Sequence, residues 1–337
     1  MKTESLRVPF ETAALKVAVV SSLLTLVACG GQAGQQNTTT NGTTITVGLT
    51  YIPNIQFSPF YVAESEGLFK DSGINLTLRH HGTQEGLFTA LAAGEEQVVF
   101  ASSDEAMVSA AGGMPELRTF ATCYRQYPGV ILGAGDIADL SGLAGKTLGV
   151  QGRYGAGWYT TLAALDRAGL GEDQVGITEI GWTQVAALTT GKTDAVVGFS
   201  NNEAVQLKAA GFPYNQLDVV DKDKPNLVGP GLVTREGVLP VEQLKLIAQA
   251  VLEAENRILN NPELALRATE AQVPALAEEA QRKQAEAVLE ATSKFWLGTD
   301  GKASVKVERD DFTRMGEFLA RVGIIEAAPE NTVLEVG

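Results

Sequence analysis

Residues 91–106 read LAAGEEQVVFASSDEA and residues 188–204 read LTTGKTDAVVGFSNNEA, so one pattern occurs twice in the chain. In each copy, the end of a predicted helix is followed by an apolar strand and then by the polar first turn of a second helix. The second copy follows the first by 97 residues at Leu91 and Leu188, and by 98 residues at Glu105 and Glu203. A repeated unit of this kind predicts two similar α/β lobes rather than one large core.

Short apolar runs alternate with helical patterns on both sides of these two copies. The apolar runs lie at residues 45–49, 74–78, 98–101, 147–150, 176–180 and 195–199. This alternation predicts a mostly parallel sheet with helices on both faces in each lobe. Beyond residue 239 the pattern is helical only, and it cannot supply another sheet.

The domain boundaries follow from this change of pattern. We expect lobe I at residues 45–126, lobe II at 127–232, and the helices of residues 233–337 packed back on lobe I. The chain then crosses twice between the lobes, and two crossings form a hinge beside a cleft.

The N-terminus has the features of a bacterial secretory signal. Two basic residues precede an apolar run at residues 13–28, which is shorter than the roughly 20 residues that span a membrane. The run ends in Leu-Val-Ala-Cys29, which resembles a lipobox. We expect residues 1–28 to be a signal peptide, Cys29 to carry the lipid that holds the protein at the membrane, and residues 29–44 to be a flexible tether. An uncleaved anchor is the alternative.

Composition limits the possible functions. The formal net charge is −14, which argues against nucleic acid and anionic lipid as partners. Only Cys123 remains after lipidation, so no internal disulfide is expected. His80 and His81 are the only histidines, and we interpret both as the exposed end of a strand. No catalytic residue, metal site or cofactor is predicted.

The turns that follow the strands should carry the ligand-binding residues, because ligands bind outside the carboxyl ends of strands in open α/β sheets. The candidates are Tyr51, Asn54, Phe57, Ser103, Asp104, Arg153, Tyr154, Gly155, Asn202 and Glu203 in four such turns, Trp182 and Gln184 after a further strand, and Tyr124 at the first crossover. Helix capping is the alternative role for Ser103, and a salt bridge near the hinge is the alternative for Arg153.

The chemistry of these turns favours an uncharged planar ligand. Asp104, Glu105 and Glu203 would repel an anion, whereas an aromatic ring face contributes about 0.5 to 1.5 kcal/mol to a stacked pair. Tyr51, Phe57, Tyr154 and Trp182 are the candidate ring faces. Amide side chains can match the polar edge of a heterocycle, and carboxylates can accept hydrogen bonds from sugar-like hydroxyls.

Four short segments resemble the superfamily of pyrimidine-, sulfonate- and nitrate-binding proteins. They are Tyr51-Ile-Pro-Asn54, Phe60-Tyr-Val-Ala63, Glu66-Gly-Leu-Phe69 and Gly73-Ile74, and the similarity extends over residues 45–211. The resemblance implies the α/β class, a two-lobed type II periplasmic-binding-protein-like fold that closes about a hinge, and the role of a solute-binding lipoprotein that delivers ligand to an ABC permease.

A finer resemblance concerns the ligand. Arg153-Tyr-Gly-Ala156, Ile180-Gly-Trp-Thr-Gln184 and Asn202-Glu203 are similar to the branch that binds riboflavin. This implies riboflavin as the transported ligand, bound by a monomer at the outer face of the cell membrane. A thiamine pyrimidine precursor is the alternative ligand; an enzyme or a ligand-sensing domain on the same fold is the alternative class.

Overall fold

The structure, a computed structural model, describes residues 43–69, 73–82 and 85–337. The predicted signal peptide, Cys29 and nearly all of the predicted tether lie outside these residues. The boundary of the tether at residue 44 was wrong, because Thr43 and Thr44 already pair with a neighbouring strand. Within the described ranges, no helix is both long and apolar enough to cross a membrane.

Two five-stranded sheets organise the described part of the chain. The strands are β1 (Thr43–Leu49), β2 (Ile74–His80), β3 (Val98–Ser102), β4 (Leu117–Thr122), β5 (Gly129–Ala134), β6 (Thr147–Val150), β7 (Gly176–Glu179), β8 (Ala195–Phe199), β9 (Tyr214–Asp218) and β10 (Pro230–Arg235). The first sheet has the order β2-β1-β3-β10-β4, and the second has the order β7-β6-β8-β5-β9. In each sheet one strand, β10 or β5, runs antiparallel to both neighbours.

Helices connect the strands and cover the sheets. They are α1 (Ser58–Ser65), α2 (Thr89–Ala93), α3 (Ser103–Ala111), α4 (Gly155–Ala168), α5 (Gln184–Thr189), α6 (Glu203–Ala209), α7 (Val241–Asn260), α8 (Glu263–Glu270), α9 (Glu279–Ser293) and α10 (Arg309–Arg321). Gly94 follows α2 and caps its C-terminus, and Gly169 does the same for α4. Both glycines adopt the left-handed conformation that favours glycine after a helix.

The chain crosses twice between the sheets, between β4 and β5 at residues 123–128 and between β9 and β10 at residues 219–229. We call the first sheet with its helices lobe I and the second sheet with its helices lobe II. The predicted end of lobe II at residue 232 was too late, because β10 begins at Pro230 and belongs to the first sheet. Hydrophobicity alone does not show whether such a short apolar segment belongs to the crossover or is already a strand of the first sheet, which is why the boundary was placed too late.

Each lobe has its own core. Strands β3 and β8 are continuous apolar runs because their residues are covered on both faces. Helices α1, α7, α8 and α9 add their apolar faces to the lobe I core, where Trp296 is 1% exposed. The predicted packing of residues 233–337 on lobe I was wrong for α10, whose Phe312, Met315 and Phe318 join the lobe II core. An amphipathic pattern identifies an apolar face but not the sheet that it covers.

Candidate ligand-binding site

A cleft of about 750 Å³ lies between the two lobes. The segments that follow β1, β2 and β3 line it from lobe I, and the segments that follow β6 and β7 line it from lobe II. These segments extend from the carboxyl ends of parallel strands, which is where open α/β sheets bind ligands. The volume is within the range of small-molecule sites in proteins.

Aromatic side chains from both lobes stand at the cleft. Tyr51 follows β1 and is 41% exposed, while Tyr154 and Trp182 on the lobe II side are 63% and 64% exposed. Large apolar side chains that face water in this way, on both sides of one cleft, are available for a ligand. The structure therefore brings together four of the predicted residues, because Gly155 lines the cleft with these three.

The Tyr51 turn is held by His80, a residue that the sequence did not connect with the site. His80 Nδ1 lies 2.9 Å from the Tyr51 carbonyl oxygen and must donate to it. In the neutral ring Nε2 then accepts from the Tyr61 hydroxyl at 2.9 Å. Burial lowers the pKa of His80, which favours this neutral form. The contact ties the end of β2 to the turn that presents Tyr51.

The N-terminus of α4 faces lobe I across the base of the cleft. Gly155 begins the helix with φ of +65°, and a Cβ atom there would lie 2.6 Å from Glu105 Oε1. Glu105, in the first turn of α3, places the same oxygen 3.4 Å from the Ala156 backbone nitrogen. A glycine at position 155 thus permits both the backbone conformation and the approach of the Glu105 carboxylate.

Asp104 lies beneath this contact and does not reach the cleft. Its side chain is fully buried and accepts a 2.9 Å hydrogen bond from the Tyr127 hydroxyl at the first crossover. That hydroxyl also lies 3.2 Å from Thr160 Oγ1 on α4, so the network joins lobe I to lobe II. Burial raises the pKa of Asp104. Burial also raises the pKa of Glu105, and the Asp104 charge raises it further.

A second charged network lies behind the lobe I wall. Glu85 lines the cleft and pairs with Arg79 at 2.8 Å. Arg79 also pairs at 2.7 Å with Glu96, which is fully buried and 2.9 Å from His81 Nε2. The interpretation of His81 as an exposed strand end was wrong, because it is 1% exposed. The network fixes the strand-to-helix segment that carries Glu85.

Several predicted residues lie outside the cleft because they serve packing or capping. Phe57 and Tyr124 are 5% exposed in the lobe I core, where Tyr124 stacks on Phe295 with ring centroids 5.3 Å apart. Asn54 accepts from the Gln56 backbone nitrogen at 3.1 Å and caps a short 3-10 turn. Ser103 is fully buried at the start of α3. Their predicted contact with ligand is not supported by this geometry.

The other unsupported candidates belong to lobe II. Arg153 pairs with Glu172 and lies over the Trp158 ring at 4.6 Å, which matches the salt-bridge alternative. Gln184 is 3% exposed at the start of α5. Glu203 is buried and accepts from the Phe199 backbone nitrogen at 2.8 Å, while Asn202 donates to Glu203 at 3.0 Å. The Asn202 and Glu203 side chains of the turn after β8 therefore form hydrogen bonds within lobe II.

The structure adds cleft residues that sequence reasoning missed. They include Glu85, Leu87, Phe88, Thr89, Val108, Ser109, Met114 and Tyr159; Glu105 also lines the cleft, in a turn that the sequence had indicated. Most of them lie between the end of β2 and the end of α3. The glycines at positions 82 and 86, directly after a predicted strand, are the sequence signal that could have identified the first of these segments. Within the described ranges, no cluster of His, Cys, Asp and Glu could hold a metal ion.

The fold and the cleft define a class of protein: two α/β lobes, two crossovers and an inter-lobe cleft are the architecture of a type II periplasmic binding protein. The predicted fold class is thus confirmed. The periplasmic aliphatic sulphonate binding protein SsuA of Escherichia coli has a similar fold, with a TM-score of 0.67, 14% identity, and coverage of 87% of this chain and 94% of that one.

Within this class, the chain belongs to the NMT1/THI5-like family, whose model matches residues 54–265. The riboflavin-binding protein RibY of Chloroflexus aurantiacus is 30% identical over 298 residues, which are 84% of this chain and 82% of that protein. The formylaminopyrimidine-binding protein of Halalkalibacterium halodurans is 23% identical over 257 residues, which are 74% of this chain and 76% of that protein. The resemblance seen in the short sequence segments is confirmed.

Proposed function

We propose that this chain is the extracytoplasmic substrate-binding component of an ABC importer, and that it binds riboflavin in the inter-lobe cleft and delivers it to a permease. The observation that carries the proposal is the set of exposed aromatic side chains, Tyr51, Tyr154 and Trp182, on both sides of one cleft of about 750 Å³. Similarity to RibY over most of both chains supports the choice of riboflavin.

Riboflavin has two parts, and the cleft offers a suitable surface for each. The flat tricyclic ring requires apolar and aromatic faces, which the exposed aromatics and Phe88 and Met114 supply. The ribityl chain carries hydroxyls that need hydrogen-bond acceptors, and Glu105 and Ser109 line the same cleft. A cleft larger than the ligand is expected in the open form, because closure of the lobes reduces its volume.

A thiamine pyrimidine precursor is the second candidate, supported by the similarity to the formylaminopyrimidine-binding protein. Its single small ring could stack on one or two aromatics and would leave more of the cleft to water. The two ligands therefore differ in the number of aromatic side chains on which their binding depends.

The first experiment is a visible absorption scan of the purified protein, followed by titration with riboflavin and with an aminopyrimidine precursor. We expect quenching of flavin fluorescence at submicromolar concentration, with a lower affinity for the pyrimidine. A protein whose thermal midpoint rises only with the pyrimidine would assign the second ligand. Chromatography of the flavin recovered from the protein tests whether riboflavin is bound without being chemically altered, as expected of a binding protein.

Ligand that contacts both lobes favours the closed form, which is the state proposed to dock on the permease. Small-angle scattering should show a decrease in the radius of gyration on addition of riboflavin. Light scattering during size-exclusion chromatography should give the mass of a monomer. An unchanged radius at saturating ligand would contradict closure about the crossovers at residues 123–128 and 219–229.

We propose that Cys29 carries the lipid that holds the protein at the outer face of the membrane, as the lipobox predicts. Metabolic labelling with a fatty acid should mark the wild-type chain and leave Cys29→Ser unlabelled and released from the membrane fraction. Cys123→Ser is the matched control, because that thiol is buried and free. Equal labelling of wild type and Cys29→Ser would refute the assignment.

A further inference from the structure

The N-terminus of α4 is already occupied by a carboxyl group from lobe I. Free backbone N–H groups at a helix N-terminus attract anions, and α4 presents its first turn to the cleft at Gly155. Glu105 Oε1 lies 3.4 Å from the Ala156 backbone nitrogen in that turn. Glu105 therefore occupies the position in which a bound anion would interact most favourably with the backbone N–H groups of α4.

The other charged residues at the cleft do not supply a positive charge that could bind an anion. Among the described residues that line it, Glu85 and Glu105 are the ionisable carboxyl groups, and no lysine, arginine or histidine is present. Arg79 lies behind Glu85 but pairs with both Glu85 and Glu96, at 2.8 and 2.7 Å. An anionic group in the cleft would meet two carboxyl groups without a free cation among these residues.

We infer that Glu105 is a specificity-determining residue that excludes anionic ligands, so that the protein accepts an uncharged vitamin and rejects its phosphate ester. The inference rests on the proposed function, since it concerns the same cleft. Riboflavin and flavin mononucleotide share the ring and the ribityl chain and differ by the phosphate. Discrimination between them therefore isolates the response of the cleft to negative charge.

A dependence on pH follows from the groups that face Glu105. These are Asp104 on the same helix, Tyr127 at the first crossover, and Tyr159 and the Ala156 amide on α4. Because Asp104 and the two phenols supply no positive charge, a phosphate can enter most easily when Glu105 holds a proton. Binding of the phosphate ester should then take up a proton and weaken as the pH rises, whereas riboflavin binding should change less.

The test compares riboflavin with flavin mononucleotide for the wild type, Glu105→Gln and Glu105→Ala by fluorescence quenching between pH 6 and pH 8.5. We expect the wild type to prefer riboflavin, and because the pKa of Glu105 is raised to about 8, we expect that preference to increase about fourfold from pH 6 to pH 8.5. Both variants should reduce the preference at pH 8.5 about fourfold and should make it depend less on pH. The phosphate itself, whose second pKa is about 6, supplies the dependence that remains. The matched control is Glu242→Gln, a carboxylate in the first turn of α7 that does not line the cleft.

Thermal midpoints of the ligand-free variants establish that they are folded. Equal binding of both flavins by the wild type would overturn the inference while leaving the riboflavin proposal intact. Unchanged selectivity in folded Glu105→Gln would overturn it as well. If the wild type binds neither flavin, the proposed ligand fails. The role of Glu105 is then tested with inorganic phosphate and a small sulfonate. Exclusion of anions by Glu105 requires that these ions raise the thermal midpoint of Glu105→Gln and leave that of the wild type unchanged.

Discussion

Substitution of Tyr154 by alanine should weaken riboflavin binding without destabilising the ligand-free protein. The ring is 63% exposed and lies at the cleft, against Gly152, where a Cβ atom would be 2.3 Å from the ring. Its removal costs the empty protein little, because most of the ring already contacts water. Its removal costs the complex more, because the ring is one of the surfaces proposed to cover the ligand.

The size of the effect can be worked out from this exposure. A planar ligand on one face of the ring would remove about 60 Å² of apolar surface from water, equivalent to about 1.5 kcal/mol at 25 cal per mol per Å². Stacking adds about 0.5 to 1.5 kcal/mol. The sum, about 2 to 3 kcal/mol, corresponds to a rise in Kd of about 30- to 150-fold.

The assay is titration of flavin fluorescence at constant pH, with a thermal melt of each ligand-free variant. Leu246→Ala is the control, because Leu246 is 37% exposed on α7 and does not line the cleft. Gly152→Ala should weaken binding as well, since a methyl group displaces the Tyr154 ring. A Kd for folded Tyr154→Ala within threefold of the wild type would refute the stacking role and move the ligand away from this side of the cleft.

Three further predictions concern stability. Phe57→Ala should lower the free energy of unfolding by about 3 to 5 kcal/mol in urea titrations, because Phe57 is a packed core residue; a loss below 1 kcal/mol would contradict that role. Burial raises the pKa of Glu255, whose carboxyl oxygens have no hydrogen-bond partner, so the folded chain holds a proton that the unfolded chain releases. Glu255→Leu should therefore stabilise the protein by about 1 to 3 kcal/mol, more at pH 8 than at pH 5, and an equal gain at both would contradict the assignment. Burial raises the pKa of Asp104 and Glu105 in the same direction, so the thermal midpoint should fall as the pH rises from 5 to 8.5. Glu105→Gln should make that fall shallower, and an identical pH profile would refute the contribution of Glu105.

Much of the fold could be predicted from sequence because hydrophobic periodicity reports burial. The two copies of the strand-to-helix pattern identified two lobes, and the loss of strand patterns beyond residue 239 identified the helical C-terminal part. Hydrophobic periodicity did not predict which sheet a given helix packs against. The apolar face of α10 is plain in the sequence, but the sequence does not show that this face joins the lobe II core, where Met315 packs with Val228 of the second crossover.

The site was predicted less completely, since a turn after a strand contains residues that face the cleft beside residues that face the core. Tyr51 and Phe57 belong to one aromatic-rich segment, yet Tyr51 is 41% exposed and Phe57 is 5% exposed. Composition indicates that such a turn is suited to a ligand. Which of its rings the ligand can reach depends on the local path of the backbone, here a short 3-10 turn at Ile55–Phe57 that directs Phe57 into the core.

The two copies of the repeated pattern also show why equivalent sequence positions need not have equivalent roles. Glu105 and Glu203 occupy the same place in the two copies, each in the first turn of the helix that follows a central strand. Glu203 accepts a hydrogen bond from the Phe199 backbone within its own lobe, whereas Glu105 reaches across the cleft to the first turn of α4. The turn before α6 is instead covered by α9, where Asn201 donates to Thr292 at 3.0 Å. Because α9 contacts that turn, Glu203 stays within the packing of lobe II, whereas Glu105 lines the cleft.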